Sequence, residues 1–173
     1  MCGAHLAESV RKKASKALRE QLVLPKGEHT TILVAISGGK DSAVLLERIH
    51  ENLGKRRDVT IVGGCVDEGI EGYRPPSLEC ARELCEELGI RFETVSYPEL
   101  GFKEMDEVVD KIVQLEERKA PCSYCGVFRR QGINHLANRV NADVIALGHN
   151  LDDMAQTIMM NMQNGDLERT LRL

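Results

Sequence analysis

Apolar residues recur along the chain with two spacings, one typical of strands and the other of helices. Four short runs rich in β-branched and aliphatic side chains predict strands at about residues 30–36, 58–66, 90–97 and 144–147. Apolar residues three or four positions apart predict helices at about residues 4–22, 43–53, 75–88, 108–115, 124–139 and from 151 onward. Pro25 and Gly27 end the first helix, and Gly89 ends the third.

The predicted elements are a helix followed by the order β-α-β-α-β-α-α-β-α. Such alternation requires parallel strands with helices on both faces, because each helix returns the chain to the end of the sheet at which the strands begin. The fold class is therefore α/β, a doubly wound parallel sheet preceded by an N-terminal helix. A site in such a sheet lies at the carboxyl ends of the strands, which places it after Ile36, Val66 and Leu147.

Length and composition indicate one folded domain with a short basic extension. The chain has 173 residues, 42% apolar and 29% charged, and no run approaches the ~20 apolar residues of a membrane helix. We divide it into an N-terminal basic helix, residues 1–25, and an α/β domain, residues 26–173. Because the first segment is polar and basic, we expect a cytoplasmic protein without membrane contact, whose six cysteines stay reduced.

The turn between the first strand and the next helix has the residues of a phosphate-binding loop. Small residues let backbone amides approach an anion, and the helix N-terminus adds partial positive charge. Lys40 would neutralise phosphate charge, and Ser42 would cap the helix or donate to a phosphate oxygen. The spacing is neither that of a Walker A loop nor that of a dinucleotide fingerprint. The candidate nucleotide-binding residues are Ala35, Ser37, Gly38, Gly39, Lys40, Asp41 and Ser42, with Gly148 and His149 after the fourth strand.

A C-x-x-C pair, Cys122 and Cys125, lies ahead of the fifth predicted helix in a basic segment. Nearby positive charge and a helix N-terminus favour the thiolate, which binds metal or takes part in sulfur chemistry. Residues 118–130 have a local net charge of +4 and residues 1–25 one of +3, although the whole chain has −4. Both segments are candidate nucleic-acid contacts, and an ordinary solvent-exposed helix face is the alternative, above all for the first. The second would bind RNA through Arg118, Lys119, Arg129 and Arg130.

Four motifs in this order resemble one enzyme family. Residues 37–42, Ser-Gly-Gly-Lys-Asp-Ser, are similar to the PP-loop of the N-type ATP pyrophosphatases, which cleave ATP between its α- and β-phosphates. Three further segments resemble the tRNA 2-thiouridine synthetases of archaea and the eukaryotic cytosol. They are Val-Asp-Glu-Gly-Ile-Glu-Gly-Tyr-Arg at 66–74, Cys-Ser-Tyr-Cys-Gly-Val-Phe-Arg-Arg at 122–130 and Leu-Gly-His-Asn-Leu-Asp-Asp at 147–153.

The resemblance implies ATP-dependent thiolation of tRNA on an adenine nucleotide alpha hydrolase-like fold. In that family ATP adenylylates the C2 oxygen of the wobble uridine, pyrophosphate leaves, and a sulfur nucleophile then expels AMP. The implied cofactors are ATP, Mg²⁺ and a [4Fe-4S] cluster, with Cys122 and Cys125 as cluster ligands and catalytic residues. Asp41, Asp152 and Asp153 become candidates for holding Mg²⁺ or positioning the base, although Asp152 is equally well explained as a helix N-cap.

The same resemblance implies the partners. They are tRNA, a second copy in a homodimer, and a sulfur donor that is sulfide, a persulfide or a ubiquitin-like thiocarboxylate protein. The sequence itself does not choose among the donors.

The chain departs from the family pattern at both ends. The family's third cluster ligand is a later cysteine, and no cysteine follows Cys125. The domain is then truncated at its C-terminus, the centre is incomplete, or Cys122 and Cys125 act as a persulfide or disulfide pair; we favour truncation. Cys2 and His5 have the spacing of half a zinc site, as in a remnant of the family's N-terminal zinc ribbon. A frayed terminus that binds no metal is the alternative.

Other functions fit part of the sequence. The loop alone also fits a PP-loop ligase that forms a C–N bond on an adenylylated small molecule. The C-x-x-C pair and its basic neighbours also fit a non-catalytic RNA-binding module. Within the thiolating enzymes, the choice of 2-thiouridine over 2-thiocytidine rests on the resemblance alone.

Overall fold

The four predicted strands form one parallel sheet. A computed structural model describes residues 2–25, 27–115 and 120–170 of the chain. The strands are β1 (Thr30–Ala35), β2 (Val59–Asp67), β3 (Arg91–Ser96) and β4 (Val144–Leu147). Their order across the sheet is β3-β2-β1-β4, and every pairing is parallel. The predicted α/β class with a parallel sheet is confirmed.

Helices connect these strands in the predicted order. They are α1 (Gly3–Gln21), α2 (Lys40–Leu53), α3 (Arg74–Glu87), α4 (Met105–Gln114), α5 (Pro121–Arg139), α6 (Leu151–Gln163) and α7 (Leu167–Thr170), with a 3₁₀ turn at Pro98–Leu100. Three helices begin earlier than their apolar spacing predicted. Small or polar residues fill the first turns of α2 and α5, and in α4 the buried Met105 is followed by two carboxylates before the apolar spacing begins. Within the described ranges, no helix is both long and apolar enough to cross a lipid bilayer.

Both faces of β1 are buried, as a central parallel strand requires. Successive residues of β1 point to opposite faces. Ile32 and Val34 pack in one apolar cluster with Leu46 of α2. Leu33 packs on the other face with Leu136 of α5. The predicted arrangement of helices on both sides of the sheet is therefore confirmed.

Helix α1 lies along α2. Leu18 and Leu22 pack against the first apolar cluster. Ser15 Oγ donates a hydrogen bond to Asn52 Oδ1 at 2.8 Å. Arg11 Nε lies 3.2 Å from Glu51 Oε1, so one cation of the basic helix is directed at α2. Such exposed ion pairs contribute little to stability, and the apolar contacts are what hold this helix to the domain.

Strand register determines which segments meet at the carboxyl edge of the sheet. Ala35, the last residue of β1, pairs with Gly64 of β2 on one side and with Leu147 of β4 on the other. The chain leaves β1 towards β2 on one side and reaches β4 on the other, so the strand order reverses at β1. Ligands of doubly wound sheets bind at such a reversal, where the flanking loops separate.

Candidate functional site

The phosphate loop follows β1 and leads into α2. Gly38 has a φ of 82°, in the left-handed region, and a Cβ at this position would lie 2.0 Å from the carbonyl oxygen of Ser77. The Ser42 hydroxyl donates to the Gly39 carbonyl oxygen at 2.9 Å and accepts from the Ser37 amide at 3.2 Å. Gly39 occupies the N-cap position of α2 and has no side chain to cap it. The alternative in which Ser42 caps the helix is thus wrong: Ser42 braces the loop.

We expect Gly38→Ala to destabilise the protein more than Gly101→Ala. The two glycines have φ values of 82° and 78°, so alanine carries similar backbone strain at both. Only at Gly38 would the new Cβ collide with backbone, because nothing lies within 4 Å of it at Gly101. The collision should cost roughly 1–3 kcal/mol beyond the Gly101 change. Urea denaturation of both variants measures the difference, and equal losses would contradict the clash.

A cavity of about 230 Å³ opens beside this loop, at the carboxyl ends of β1, β2 and β4. Seven of the nine predicted nucleotide-binding residues line it: Ala35, Ser37, Gly39, Asp41, Ser42, Gly148 and His149. Gly38 and Lys40 lie in the loop and in the first turn of α2. Gly148 brings the end of β4 against α2, since a Cβ there would lie 3.0 Å from Ser42 Cα. The fold thus brings two separated sequence motifs to one cavity.

A buried ion pair also lines the cavity. Glu68 and Arg74 are 4% and 3% exposed, and Arg74 Nε lies 2.8 Å from Glu68 Oε2. The Arg74 Nη1 group donates to the Ser37 carbonyl oxygen at 3.1 Å. Its Nη2 group donates to the Val66 carbonyl oxygen and to Cys65 Sγ. A buried charge is tolerated when it is paired and hydrogen-bonded. Arg74 is paired with Glu68 and hydrogen-bonded through both Nη groups, which fasten the phosphate loop to β2, while its Nε and Glu68 Oε2 are in ion-pair contact without a hydrogen bond.

Arg129 extends this network to the cysteine helix. Its Nε lies 2.9 Å from Glu68 Oε1, and its Nη2 group donates to Cys125 Sγ at 3.4 Å. Burial lowers the pKa of Arg129, but the negative charge of Glu68 raises it, and the net pKa is above the ordinary value. Direct contacts therefore run from the Ser37 carbonyl through Arg74, Glu68 and Arg129 to the sulfur of Cys125.

The two cysteines differ in their surroundings. Both lie in the first two turns of α5, because the helix begins at Pro121, and the prediction that they precede the helix is wrong. Cys122 is exposed and Cys125 is half-buried. The Tyr97 hydroxyl donates to the Cys125 carbonyl oxygen at 3.1 Å and lies 3.4 Å from its sulfur. Burial first, and then its hydrogen bond to Cys125, raise the pKa of Tyr97, so this phenol stays protonated and able to donate.

Aromatic packing fixes the position of Tyr97. Its ring is fully buried and meets Phe128 edge-to-face, with centroids 5.5 Å apart. Phe128 stacks on Phe102 at 4.3 Å. Phe128 therefore serves to pack the protein around Tyr97.

The predicted carboxylates of α6 lie outside the cavity wall. Asn150 caps this helix: its side chain accepts from the Asp153 amide at 3.0 Å, and Asp153 Oδ2 accepts from the Asn150 amide at 2.9 Å. Asp152 is exposed in the same turn. The alternative in which Asp152 is the N-cap is wrong, because a capping box formed by its neighbours already closes the helix end.

Three further predicted residues, Cys2, His5 and Arg130, lie at the surface. Cys2 Sγ lies 3.2 Å from His5 Nδ1 at the exposed start of α1. Arg130 is exposed on α5. Arg118 and Lys119 lie outside the described residues.

The cysteine pair supplies part of a metal site. Across residues 2–25, 27–115 and 120–170, no three or more His, Cys, Asp and Glu side chains are placed to hold one metal ion. Cys122 and Cys125 are three positions apart on a helix, so both sulfurs face the same side. An iron–sulfur cluster takes three or four protein ligands. The described residues therefore fit two positions of such a cluster.

Three residues of the site were not predicted: Glu68, Arg74 and Tyr97. Glu68 and Arg74 belong to the motif at residues 66–74, which carries a family resemblance but no chemical pattern that assigns either residue a role. A usable signal was present, since a carboxylate that directly follows a buried parallel strand lies at the site edge of the sheet. Tyr97 also follows a strand, but no local pattern connects it to Cys125.

Comparison with known proteins gives the family. A family model described as a PP-loop domain matches residues 6–172. The tRNA 2-thiolation protein NcsA of Haloferax volcanii is 39% identical over 99% of this chain and 54% of its own length. The cytoplasmic tRNA 2-thiolation protein 1 of Malassezia globosa is 36% identical over 99% of this chain and 44% of its own.

A solved structure agrees with these relatives. The U34-tRNA thiolase NcsA from Methanococcus maripaludis, which was solved with its [4Fe-4S] cluster, superposes with a TM-score of 0.81 at 34% identity. The match covers 97% of this chain and 54% of that one, so this chain spans about half the length of the relatives it matches. The resemblance recognised in the sequence is confirmed: the chain belongs to the PP-loop domain family, in which its relatives are tRNA 2-thiolation proteins.

Proposed function

We propose that this chain carries the ATP-binding half of a tRNA-thiolating enzyme, together with part of its sulfur site. It adenylylates the C2 oxygen of a uridine, in the wobble position by analogy with its relatives, and the oxygen is then replaced by sulfur. The observation that carries this proposal is the unbroken series of contacts from the phosphate loop to Cys125. A site that activates an oxygen and then replaces it with sulfur needs both groups within reach of one substrate atom.

The loop side supplies the electrostatics of adenylylation. When the uridine oxygen attacks the α-phosphate of ATP, negative charge builds up on the departing pyrophosphate. The N-terminus of α2 and the Lys40 ammonium stabilise that charge. Asp41 lines the cavity in the first turn of α2 and would hold Mg²⁺, which binds carboxylate and phosphate oxygens together. Gly148 and His149 form the opposite wall and would contact the nucleotide.

The sulfur side is built around α5. Cys122 and Cys125 would hold two positions of a [4Fe-4S] cluster, which when bound carries the sulfur that replaces the activated oxygen. Arg129 directs a hydrogen-bond donor at the Cys125 sulfur. The Tyr97 hydroxyl, which donates to the Cys125 carbonyl oxygen, lies 3.4 Å from the same sulfur. The tRNA would reach the site past Arg129 and the exposed Arg130. Donors to a cysteine sulfur stabilise its negative charge, which suits a thiolate ligand.

Several finer assignments belong to this proposal. Residues 1–25 would act as a basic helix with a half zinc site at Cys2 and His5, and residues 26–173 as the PP-loop domain. Asp152 and Asp153, in the first turn of the helix that follows the cavity-lining Gly148 and His149, would position the base. The sulfur donor, the homodimer and the cytoplasmic location stay predictions from the sequence.

We expect ATP to yield AMP and pyrophosphate, and no ADP. The chain, supplied with unmodified tRNA, Mg²⁺ and sulfide under anaerobic conditions, is incubated with ATP labelled at its α-phosphate, and products are separated by thin-layer chromatography. Lys40→Ala should lower AMP formation about 100-fold, the loss typical of a group that stabilises charge in the transition state. Arg57→Ala, a surface change outside the cavity lining, is the matched control and should keep full activity.

Two results would contradict this function. Release of ADP would identify a phosphate-transferring enzyme of another class. AMP release that needs a small amine and ignores tRNA would identify the C–N ligase instead.

A further inference from the structure

Glu68 lies between two arginines at the junction of the loop side and the sulfur side. Its two oxygens are divided between them, Oε2 facing Arg74 and Oε1 facing Arg129. Two guanidinium groups and one carboxylate leave a single excess positive charge. All three residues line the cavity in which phosphate groups would sit.

Both arginines have acceptors within the protein. Arg74 reaches the carbonyl oxygens of Ser37 and Val66 and the sulfur of Cys65. Arg129 reaches Glu68 and the sulfur of Cys125. A guanidinium group binds phosphate readily and in bidentate fashion. Two such groups beside a phosphate loop therefore compete with the loop for the phosphate that it binds.

We propose that Glu68 is a positioning residue that keeps these two arginines from capturing pyrophosphate in the cavity. It offsets one of the two positive charges and holds Arg129 at Cys125 and Arg74 at the loop backbone. Pyrophosphate is then bound by the loop alone and is released once it has formed. This inference rests on the proposed function, because pyrophosphate is the product that must leave.

Whether Glu68→Gln strengthens or weakens pyrophosphate binding distinguishes this role from a purely structural one. Glu68→Gln keeps the shape of the side chain, removes its charge and raises the excess positive charge of the cluster from one to two. The Coulomb attraction for pyrophosphate then increases at short range, where little water intervenes to screen it. If Glu68 only held the fold together, the same change would loosen the cavity and weaken pyrophosphate binding.

The test measures the affinity of the metal-free chain for inorganic pyrophosphate by isothermal titration calorimetry, in two single variants and in the double variant that combines them. We expect Glu68→Gln to tighten binding about tenfold and Arg129→Gln to weaken it several-fold, because each changes the local charge by one unit in opposite directions. The double variant restores the original excess charge, and its dissociation constant should lie within about threefold of the unmodified chain. Binding to Glu68→Gln should also weaken more steeply with added salt.

The matched control is Glu99→Gln. Glu99 is also a carboxylate paired with an arginine, since Arg139 Nη2 lies 3.6 Å from it, but it does not line the cavity. The Glu99→Gln variant should bind pyrophosphate with unchanged affinity. Thermal unfolding of each variant shows whether it is folded at the temperature of the titration.

Each outcome decides between the alternatives. Weaker binding by folded Glu68→Gln overturns the inference and leaves the proposed function standing. Failure of the unmodified chain to bind pyrophosphate overturns the inference together with the role of the loop. If Glu68→Gln does not fold, the double variant decides: affinity near the original supports the inference, and a loss of tenfold or more overturns it.

Discussion

Cys125→Ser should abolish sulfur transfer to tRNA while ATP is still split to AMP and pyrophosphate. Serine has a side chain of similar size, can accept the hydrogen bond from Arg129, and leaves the bond from Tyr97 to the backbone carbonyl of this residue in place. Its hydroxyl is a far poorer nucleophile and metal ligand than a thiolate. We expect thiolation to fall roughly 10³-fold or more, as when a residue that takes part in the chemistry is removed. Mass spectrometry of nucleosides from the digested tRNA measures the product.

Cys80→Ser is the matched control for this variant. Cys80 is an exposed cysteine on α3 and lies outside the cavity lining. Its replacement should leave thiolation and stability unchanged. If Cys125→Ser kept more than a tenth of the activity, or if Cys80→Ser lost it, the assignment of the sulfur site to α5 would be wrong.

Arg74→Met should be the most destabilising change among the polar residues of the site. It leaves Glu68 buried with one remaining partner, Arg129, whose side chain is 51% exposed. Breaking a buried pair from one side costs about 3–5 kcal/mol, and we expect the lower end because Arg129 stays in place. The change also removes the donor to the Ser37 carbonyl, so the phosphate loop loses its attachment to β2. Urea denaturation followed by circular dichroism gives the free energy of unfolding.

Arg82→Met provides the comparison on the same helix. Arg82 is half-exposed, 3.6 Å from Glu79 and 5.4 Å above the ring of Phe92, and its loss should cost less than about 1 kcal/mol. A second replacement, Glu68→Leu in the Arg74→Met background, removes the uncompensated charge and should recover most of the lost stability. No recovery would mean that Arg74 stabilises the fold through its backbone contacts alone.

The parts of the fold that depend on local pattern were predictable from the sequence. The alternation of Ile32, Leu33 and Val34 between two buried faces is already present in the apolar run of β1. The phosphate loop was predictable for the same reason, since its chemistry lies within six consecutive residues. The start of α5 was misplaced because Pro121 begins the helix, whereas the apolar spacing becomes visible only later.

The polar network was not predictable, because its contacts join distant segments. Glu68 and Arg129 are 61 positions apart, and Tyr97 and Cys125 are 28 apart. Residue type alone made Arg129 a candidate for RNA, and only the tertiary structure shows its charge directed at Glu68. The role of Asp153 was more accessible, since Asn-x-x-Asp before a helix is a variant of the capping box.

The pairing of β1 with β4 has a consequence for how the molecule assembles. It joins Thr31 to Asp143 across 112 positions, so it closes the longest loop in the sheet and carries the largest entropic cost of closure. Gly148 and His149 reach the cavity only through this pairing. The nucleotide cavity is therefore complete only when β4 has paired with β1. A bound nucleotide would stabilise that docking by mass action, so ATP should protect β4 from proteolysis.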